Sequence, residues 1–91
     1  MKRIHAIVTG VVQGVGFRFF TKYLAERFDL SGYVRNREDG SVELEAEGSF
    51  EAVSAFLEEL EAGPPRAASV SGVEVKEIPA TGDVEGFRIT Y

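Results

Sequence analysis

The 91-residue chain contains no cysteine. This absence excludes disulfide bonds, thiolate catalysis and cysteine-ligated zinc, so the fold has to be stabilised by packing. Histidine is almost absent as well: His5 is the only one, which excludes a cluster of histidine ligands. It lies in an early strand-like segment, and we interpret it as an ordinary strand residue. We therefore expect no metal site.

Long apolar runs and an excess of positive charge are also missing. No run approaches the roughly 20 residues that cross a bilayer, and the first residues enter a strand-like pattern without a signal-peptide core. Lysine and arginine total 10 against 15 acidic residues, a net charge of −5, which disfavours binding to nucleic acid. We expect a soluble, cytoplasmic protein without a membrane segment or a nucleic-acid partner.

The residues that are present are sufficient for one core. With 44% hydrophobic residues, the chain predicts a single domain spanning residues 1–91. Apolar periodicity predicts its elements. In chain order they are a strand at 3–12, a helix at 18–28, strands at 33–36 and 42–46 joined by a hairpin turn, a helix after residue 49, a strand at 70–78 and a short strand at 86–91.

Three local signals bound these elements. Ser31-Gly32 is predicted to end the first helix, because glycine readily adopts the left-handed conformation found at helix ends. Ser49 is predicted to cap the second helix, which Gly63-Pro64-Pro65 ends. Alternation in the second hairpin strand sends Val42, Leu44 and Ala46 inward, and places Glu43, Glu45 and Glu47 on a solvated face.

The order βαββαβ with a short final strand predicts an α+β fold of the ferredoxin-like type. It is an α/β sandwich in which two helices pack on one face of a mainly antiparallel sheet of four to five strands. The position of the last strand within the sheet is left open by the sequence.

A glycine-rich segment, GVVQGVGFR at residues 10–18, lies where the first strand meets the first helix. Glycines allow backbone N–H groups to converge on an anion, and a helix start adds unpaired N–H groups and the positive end of a dipole. Arg18 supplies a guanidinium that can bind two phosphate oxygens. Spacing alone is equally compatible with an ordinary turn.

A second segment, GYVRNREDGSV at residues 32–42, changes this balance. Together the two segments resemble the signature motifs of the acylphosphatase family, G-x-V-Q-G-V-x-F-R and G-aromatic-V-x-N-x-x-D-G-x-V, at every specified position. The resemblance covers the whole chain and implies the same ferredoxin-like sandwich. It also implies hydrolysis of acyl phosphates to a carboxylate and inorganic phosphate by a metal-independent enzyme without a cofactor.

The resemblance also implies which residues act. Arg18 and Asn36 become the catalytic residues: Arg18 binds the phosphoryl group and Asn36 orients the attacking water. The phosphoryl oxygens would be bound by Arg18 and by the backbone N–H groups of the loop, which are contributed by Gln13, Gly14, Val15, Gly16 and Phe17. The side chain of Gln13 is expected to hydrogen-bond within the loop, and the Phe17 ring to pack in the core.

Two alternatives remain open. One is a noncatalytic, phosphate-binding or accessory acylphosphatase-like domain, of the kind fused to larger carbamoyl-transfer maturation proteins. The other is an RNA-binding module, which the glutamates of the open sheet face disfavour. The chain length favours a free-standing protein, and the presence of both Arg18 and Asn36 favours an enzyme that acts on a small-molecule acyl phosphate. The charged sheet face offers no apolar patch for association, so we expect a monomer.

Overall fold

The computed structural model describes residues 1–63 and 68–91. Its elements follow the predicted order. Most of their ends lie one or two residues from the predicted positions. They are β1 (Lys2–Val11), α1 (Phe17–Arg27), β2 (Ser31–Asn36), β3 (Val42–Gly48), α2 (Phe50–Ala62), β4 (Ser69–Ile78) and β5 (Phe87–Ile89). No helix in this part of the chain is long and apolar enough to cross a membrane.

The five strands form one mixed sheet in the order β4-β1-β3-β2-β5. The pairs β4·β1, β1·β3 and β3·β2 are antiparallel, whereas β5 pairs parallel to β2 at the edge of the sheet. The structure therefore confirms the ferredoxin-like α+β fold and gives the last strand its position. Because β1 and β2 both run antiparallel to β3, their carboxyl ends lie at the same end of the sheet.

Both helices cover one face of this sheet, as predicted. The inward residues of the central strands alternate with polar ones, and the helices contribute an apolar stripe at helical spacing. Burial of each large apolar side chain stabilises the fold by about 1.5–3 kcal/mol. The largest buried apolar side chains are Phe17, Phe56, Ile4, Leu24, Leu44, Leu60, Val8, Val12, Val34, Val42 and Val53.

The first helix does not end at Ser31-Gly32, and that prediction was wrong. The left-handed residue is Asp29, with φ 58°, and the Leu30 N–H donates to the carbonyl of Ala25. Gly32 lies inside β2 at φ 145°, where a Cβ atom would lie 1.9 Å from the carbonyl oxygen of Glu45. The glycine is required by the close approach of β3, which no local signal reveals.

The ends of α2 match the prediction as far as the described residues extend. The Ser49 hydroxyl accepts a hydrogen bond of 3.1 Å from the Ala52 N–H, as an N-cap does. Gly63 follows the helix at φ 76°, and its N–H donates to the carbonyl of Glu59. Pro64 and Pro65 lie outside the described residues.

The face of the sheet opposite the helices is not uniformly solvated, and the assignment of Glu47 to a wet surface was wrong. Glu47 is only 1% exposed. Its carboxylate accepts hydrogen bonds from the Thr81 N–H and the Gly82 N–H, both at 2.8 Å, and pairs with Arg3 at 3.1 Å. The loop between β4 and β5 therefore folds over this end of the face and encloses a charged group.

These contacts hold the pKa of Glu47 at about 2, below its ordinary value of 4.5. The hydrogen bond from the Thr81 N–H is the largest cause; desolvation opposes it, and the contacts to Arg3 and Gly82 lower the pKa further. Because the folded-state pKa is depressed, the ionised carboxylate stabilises the fold above about pH 4.5. This contribution is lost as the pH falls towards 2.

We expect Glu47→Gln to lower the free energy of unfolding by about 2 kcal/mol at pH 7, because the Arg3 guanidinium loses a buried partner. The difference from the original protein should shrink as the pH falls towards 2. Urea unfolding at a series of pH values measures both effects. Glu58→Gln, an exposed change on α2, is the matched control and should stay within about 0.5 kcal/mol. Equal loss in both variants would contradict the role of the buried pair.

Candidate active site

The loop between β1 and α1 has the backbone geometry of an anion-binding corner. Gly14 and Gly16 have φ values of 73° and 79°, which residues with a side chain rarely adopt. Gly16 is the N-cap residue of α1, in the left-handed conformation, and the first turn of the helix carries no acidic residue. The chain therefore turns sharply and begins the helix with its N–H groups at the same corner.

These N–H groups are unpaired within the described residues. Across residues 1–63 and 68–91, no carbonyl or side chain accepts a hydrogen bond from the backbone N–H groups of residues 14–19, and the first bonded one is Phe20, which donates to Gly16 at 3.0 Å. Several unpaired donors next to the positive end of a helix dipole form a binding site for an anion.

Arg18 lies in the first turn of α1 and borders this corner. Its guanidinium carbon is 4.8 Å from the centre of the Tyr91 ring, a cation–π contact. The other arginines in the described segments, Arg3, Arg27, Arg35, Arg37 and Arg88, each pair with a carboxylate, but Arg18 does not. Its charge is thus available to an anion.

Asn36 is the last residue of β2 and faces the same corner. In the sheet Val42 pairs with both Val8 and Asn36, so Asn36 lies two strands, roughly 10 Å, across from Val8, which is three residues before the end of β1. Its Oδ1 atom is buried and finds no hydrogen-bond partner among the described residues. Such an atom costs about 1–3 kcal/mol unless water or a ligand donates to it.

A small pocket of about 80 Å³ brings these groups together. Of the residues expected at the site, Arg18, Asn36, Gly14, Gly16 and Phe17 line it, whereas Gln13 and Val15 do not. Two residues that were not expected at the site complete the lining: Val12, which is a specified position of the first motif, and Phe19, which lies just outside it. The Phe17 ring is buried in the core, as expected, and so can contribute only its backbone to a ligand.

The side chain of Gln13 does not hydrogen-bond within its own loop, contrary to expectation. Its Nε2 atom donates to the carbonyls of Arg37 and Ser41 at 2.7 and 2.8 Å. Both acceptors belong to the hairpin that follows Asn36, where the Asp39 carboxylate accepts a hydrogen bond from the Ser41 N–H. Gln13 therefore ties the glycine loop to the segment that carries Asn36, a contact that sequence spacing did not reveal.

Gln13→Met keeps the length of the side chain but removes both donated hydrogen bonds. We expect it to lower the free energy of unfolding by about 1–2 kcal/mol, since each bond contributes about 0.5–1.5 kcal/mol. Chemical denaturation measures the change. A variant as stable as the original protein would show that the two bonds do not hold the loop against the hairpin.

On the opposite face of the sheet, His5, Arg35 and Glu43 interact with one another and do not line the pocket at this corner. His5 Nε2 lies 2.7 Å from the Glu43 carboxylate, and Arg35 pairs with the same group. Burial acts to raise the pKa of Glu43, but His5 and Arg35 together lower it. In the described portion of the chain, no three histidine or acidic side chains are arranged to hold a metal ion.

The fold and this corner together define a ferredoxin-like α+β sandwich. Its first strand-to-helix turn presents backbone N–H groups that have no acceptor among the described residues. Residues 4–89 match the family model described as Acylphosphatase. An acylphosphatase from Salinibacter ruber is 50% identical over 88 residues, which cover 97% of this chain and 92% of that protein. The chain belongs to the acylphosphatase family.

Solved structures agree with this assignment. The crystal structure of acylphosphatase from Bacillus subtilis matches with a TM-score of 0.94 at 40% identity and covers 100% of both chains. The crystal structure of T. kodakarensis HypF matches at 40% identity with a TM-score of 0.86, covering 99% of this chain but 12% of that one. The same fold thus occurs both as a short chain and as part of a much longer one.

Proposed function

We propose that this protein hydrolyses the carboxyl-phosphate bond of small-molecule acyl phosphates, releasing a carboxylate and inorganic phosphate. Family membership supports the reaction class. The observation that carries the site assignment is the pocket itself. Backbone N–H groups, the Arg18 guanidinium and the Asn36 Oδ1 atom converge there, and none of them has a hydrogen-bond or ion-pair partner among the described residues.

In this proposal the phosphoryl group binds in the corner at the start of α1. The backbone N–H groups of residues 13–17 donate to its oxygens, and the Arg18 guanidinium pairs with them. Phosphoryl transfer spreads negative charge over three equatorial oxygens, and donors already fixed in place stabilise that charge without reorganising. The loop glycines fix the N–H groups, and the cation–π contact with Tyr91 restricts the arginine.

Asn36 positions the nucleophile. Its Oδ1 accepts a hydrogen bond from a water molecule, and this gives the buried oxygen the partner that it otherwise lacks. The water oxygen attacks phosphorus, and the bond from phosphorus to the bridging oxygen breaks, so that the carboxylate leaves with the electron pair. An amide is too weak a base to take the water proton, so the proton passes to a phosphoryl or carboxyl oxygen of the substrate.

The alternative of a noncatalytic accessory domain is supported by the match to T. kodakarensis HypF, where the likeness spans 12% of the longer chain. Relatives named acylphosphatase are matched over 92% of their length from Salinibacter ruber and 100% from Bacillus subtilis. This difference, and the presence of both Arg18 and Asn36, favours a single enzymatic domain.

The test is hydrolysis of acetyl phosphate and benzoyl phosphate by the purified protein, with and without EDTA. We expect equal rates in both conditions and little activity on a phosphate monoester. In ¹⁸O-labelled water, the label should enter inorganic phosphate. Dependence on a metal ion, or label in the carboxylate, would contradict the proposed mechanism.

A further inference from the structure

Phe19 lines the pocket but has no part in the proposed mechanism. Its side chain is 66% exposed, although phenylalanine is usually buried. The buried residues of α1 are Phe17, Thr21, Leu24 and Ala25, so Phe19 lies outside the stripe that packs on the sheet. Core packing therefore does not account for an aromatic ring at this position.

The size of the pocket leaves the acyl group outside it. A volume of about 80 Å³ between the loop and Asn36 suits a phosphoryl group and its attacking water, and little more. The acyl carbon is bonded to the bridging oxygen of the substrate, so the acyl group must extend from the pocket towards solvent. Of the residues that line the pocket, Phe19 presents the largest exposed apolar surface.

Most of the residues that line the pocket, from which the acyl group would extend, are apolar. Apart from the two polar residues already used, Arg18 and Asn36, the lining consists of glycine, valine and phenylalanine. A carboxylate or second phosphate on the acyl group would find no further cation in that lining. A flat apolar group, in contrast, can stack on an aromatic ring or contact its edge.

We propose that the Phe19 ring is an acyl-group subsite that favours aromatic over small acyl groups. This inference rests on the proposed function, because it assumes that the phosphoryl group occupies the pocket. Tyr23, four residues further along α1 and 61% exposed, lies on the same side of the helix and continues the surface for longer acyl groups. The phosphoryl contacts set the reaction, and the Phe19 ring sets the choice of acyl group.

The experiment compares kcat/KM for benzoyl phosphate and acetyl phosphate in Phe19→Ala. We expect the ratio of the two values to fall about three- to tenfold, since an aromatic contact of this kind has that effect. The value for benzoyl phosphate should fall further than the value for acetyl phosphate, because the methyl group of acetyl phosphate barely reaches the ring. The thermal unfolding midpoint of Phe19→Ala checks that the variant is folded.

Phe50→Ala is the matched control. Phe50 is equally exposed, at 63%, and contacts Lys2 at the start of β1, about 30 Å along the strand from the loop. The ratio of kcat/KM for benzoyl phosphate to kcat/KM for acetyl phosphate should be the same in Phe50→Ala as in the original protein. An unchanged ratio in Phe19→Ala, or an equal loss for both substrates, would overturn the subsite. A fall of this ratio in Tyr91→Leu but not in Phe19→Ala would also overturn the subsite, because it would place the acyl group on the other side of Arg18.

Failure of the subsite and failure of the proposed function give different results. If the original protein hydrolyses neither substrate, the function itself is wrong. If it hydrolyses both and the ratio does not respond to Phe19, the function stands and only the subsite is rejected.

Discussion

Arg18→Ala is expected to reduce kcat/KM for an acyl phosphate by at least about 10²-fold. The guanidinium is the side-chain cation that lines the pocket, and loss of one fixed electrostatic donor at a comparable site costs about that much. The loss should include weaker substrate binding, because the arginine also pairs with the phosphoryl group in the ground state. Steady-state kinetics with benzoyl phosphate separate the fall in kcat from the rise in KM.

Arg27→Ala provides the control on the same helix. Arg27 is the last residue of α1, nine positions and about 13 Å beyond Arg18, and pairs with Glu59 at 3.2 Å on the surface. It should retain full activity and lose at most about 1 kcal/mol of stability. Comparable activity in Arg18→Ala and Arg27→Ala would remove Arg18 from the mechanism.

Asn36→Ala is expected to lower kcat by about 10²-fold and to leave KM nearly unchanged. Loss of the hydrogen bond to the attacking water abolishes its alignment with phosphorus, whereas the groups that bind the phosphoryl oxygens remain. The free energy of unfolding should stay the same or increase, because the substitution removes a buried oxygen that finds no partner among the described residues.

This combination distinguishes a positioning role from a structural one. A structural asparagine would lose stability along with activity, and chemical denaturation would detect the loss. Full turnover in Asn36→Ala would contradict the assignment, as would a rise in KM at constant kcat.

Local patterns were sufficient to predict the order of the elements and to place their ends to within one or two residues. Alternation in β3 and the three- and four-residue spacing in α1 follow directly from strand and helix geometry, so Leu44 and Leu24 are buried as expected. The two motifs also predicted that Arg18 and Asn36 meet. The structure places both on one pocket.

What could not be predicted depends on contacts between distant segments. Alternation assigned Glu47 to solvent, but the loop at Thr81 and Gly82 covers it from 34 and 35 residues away. Gln13 bonds to carbonyls 24 and 28 residues later, and Gly32 is required by the backbone of a neighbouring strand. None of these partners is encoded by the periodicity of the segment that contains the residue.

The position of β3 between β1 and β2 has a consequence for how the enzyme gains activity. Arg18, Asn36 and the glycine loop all precede β3 in the chain, yet β1 and β2 are not neighbours in the sheet, and Val42 of β3 pairs with both Val8 and Asn36. A nascent chain that has emerged only as far as the hairpin turn therefore contains every proposed catalytic group without the means to align them. Turnover regained during refolding would report closure of the sheet by β3, an event of long sequence separation, and not formation of either motif.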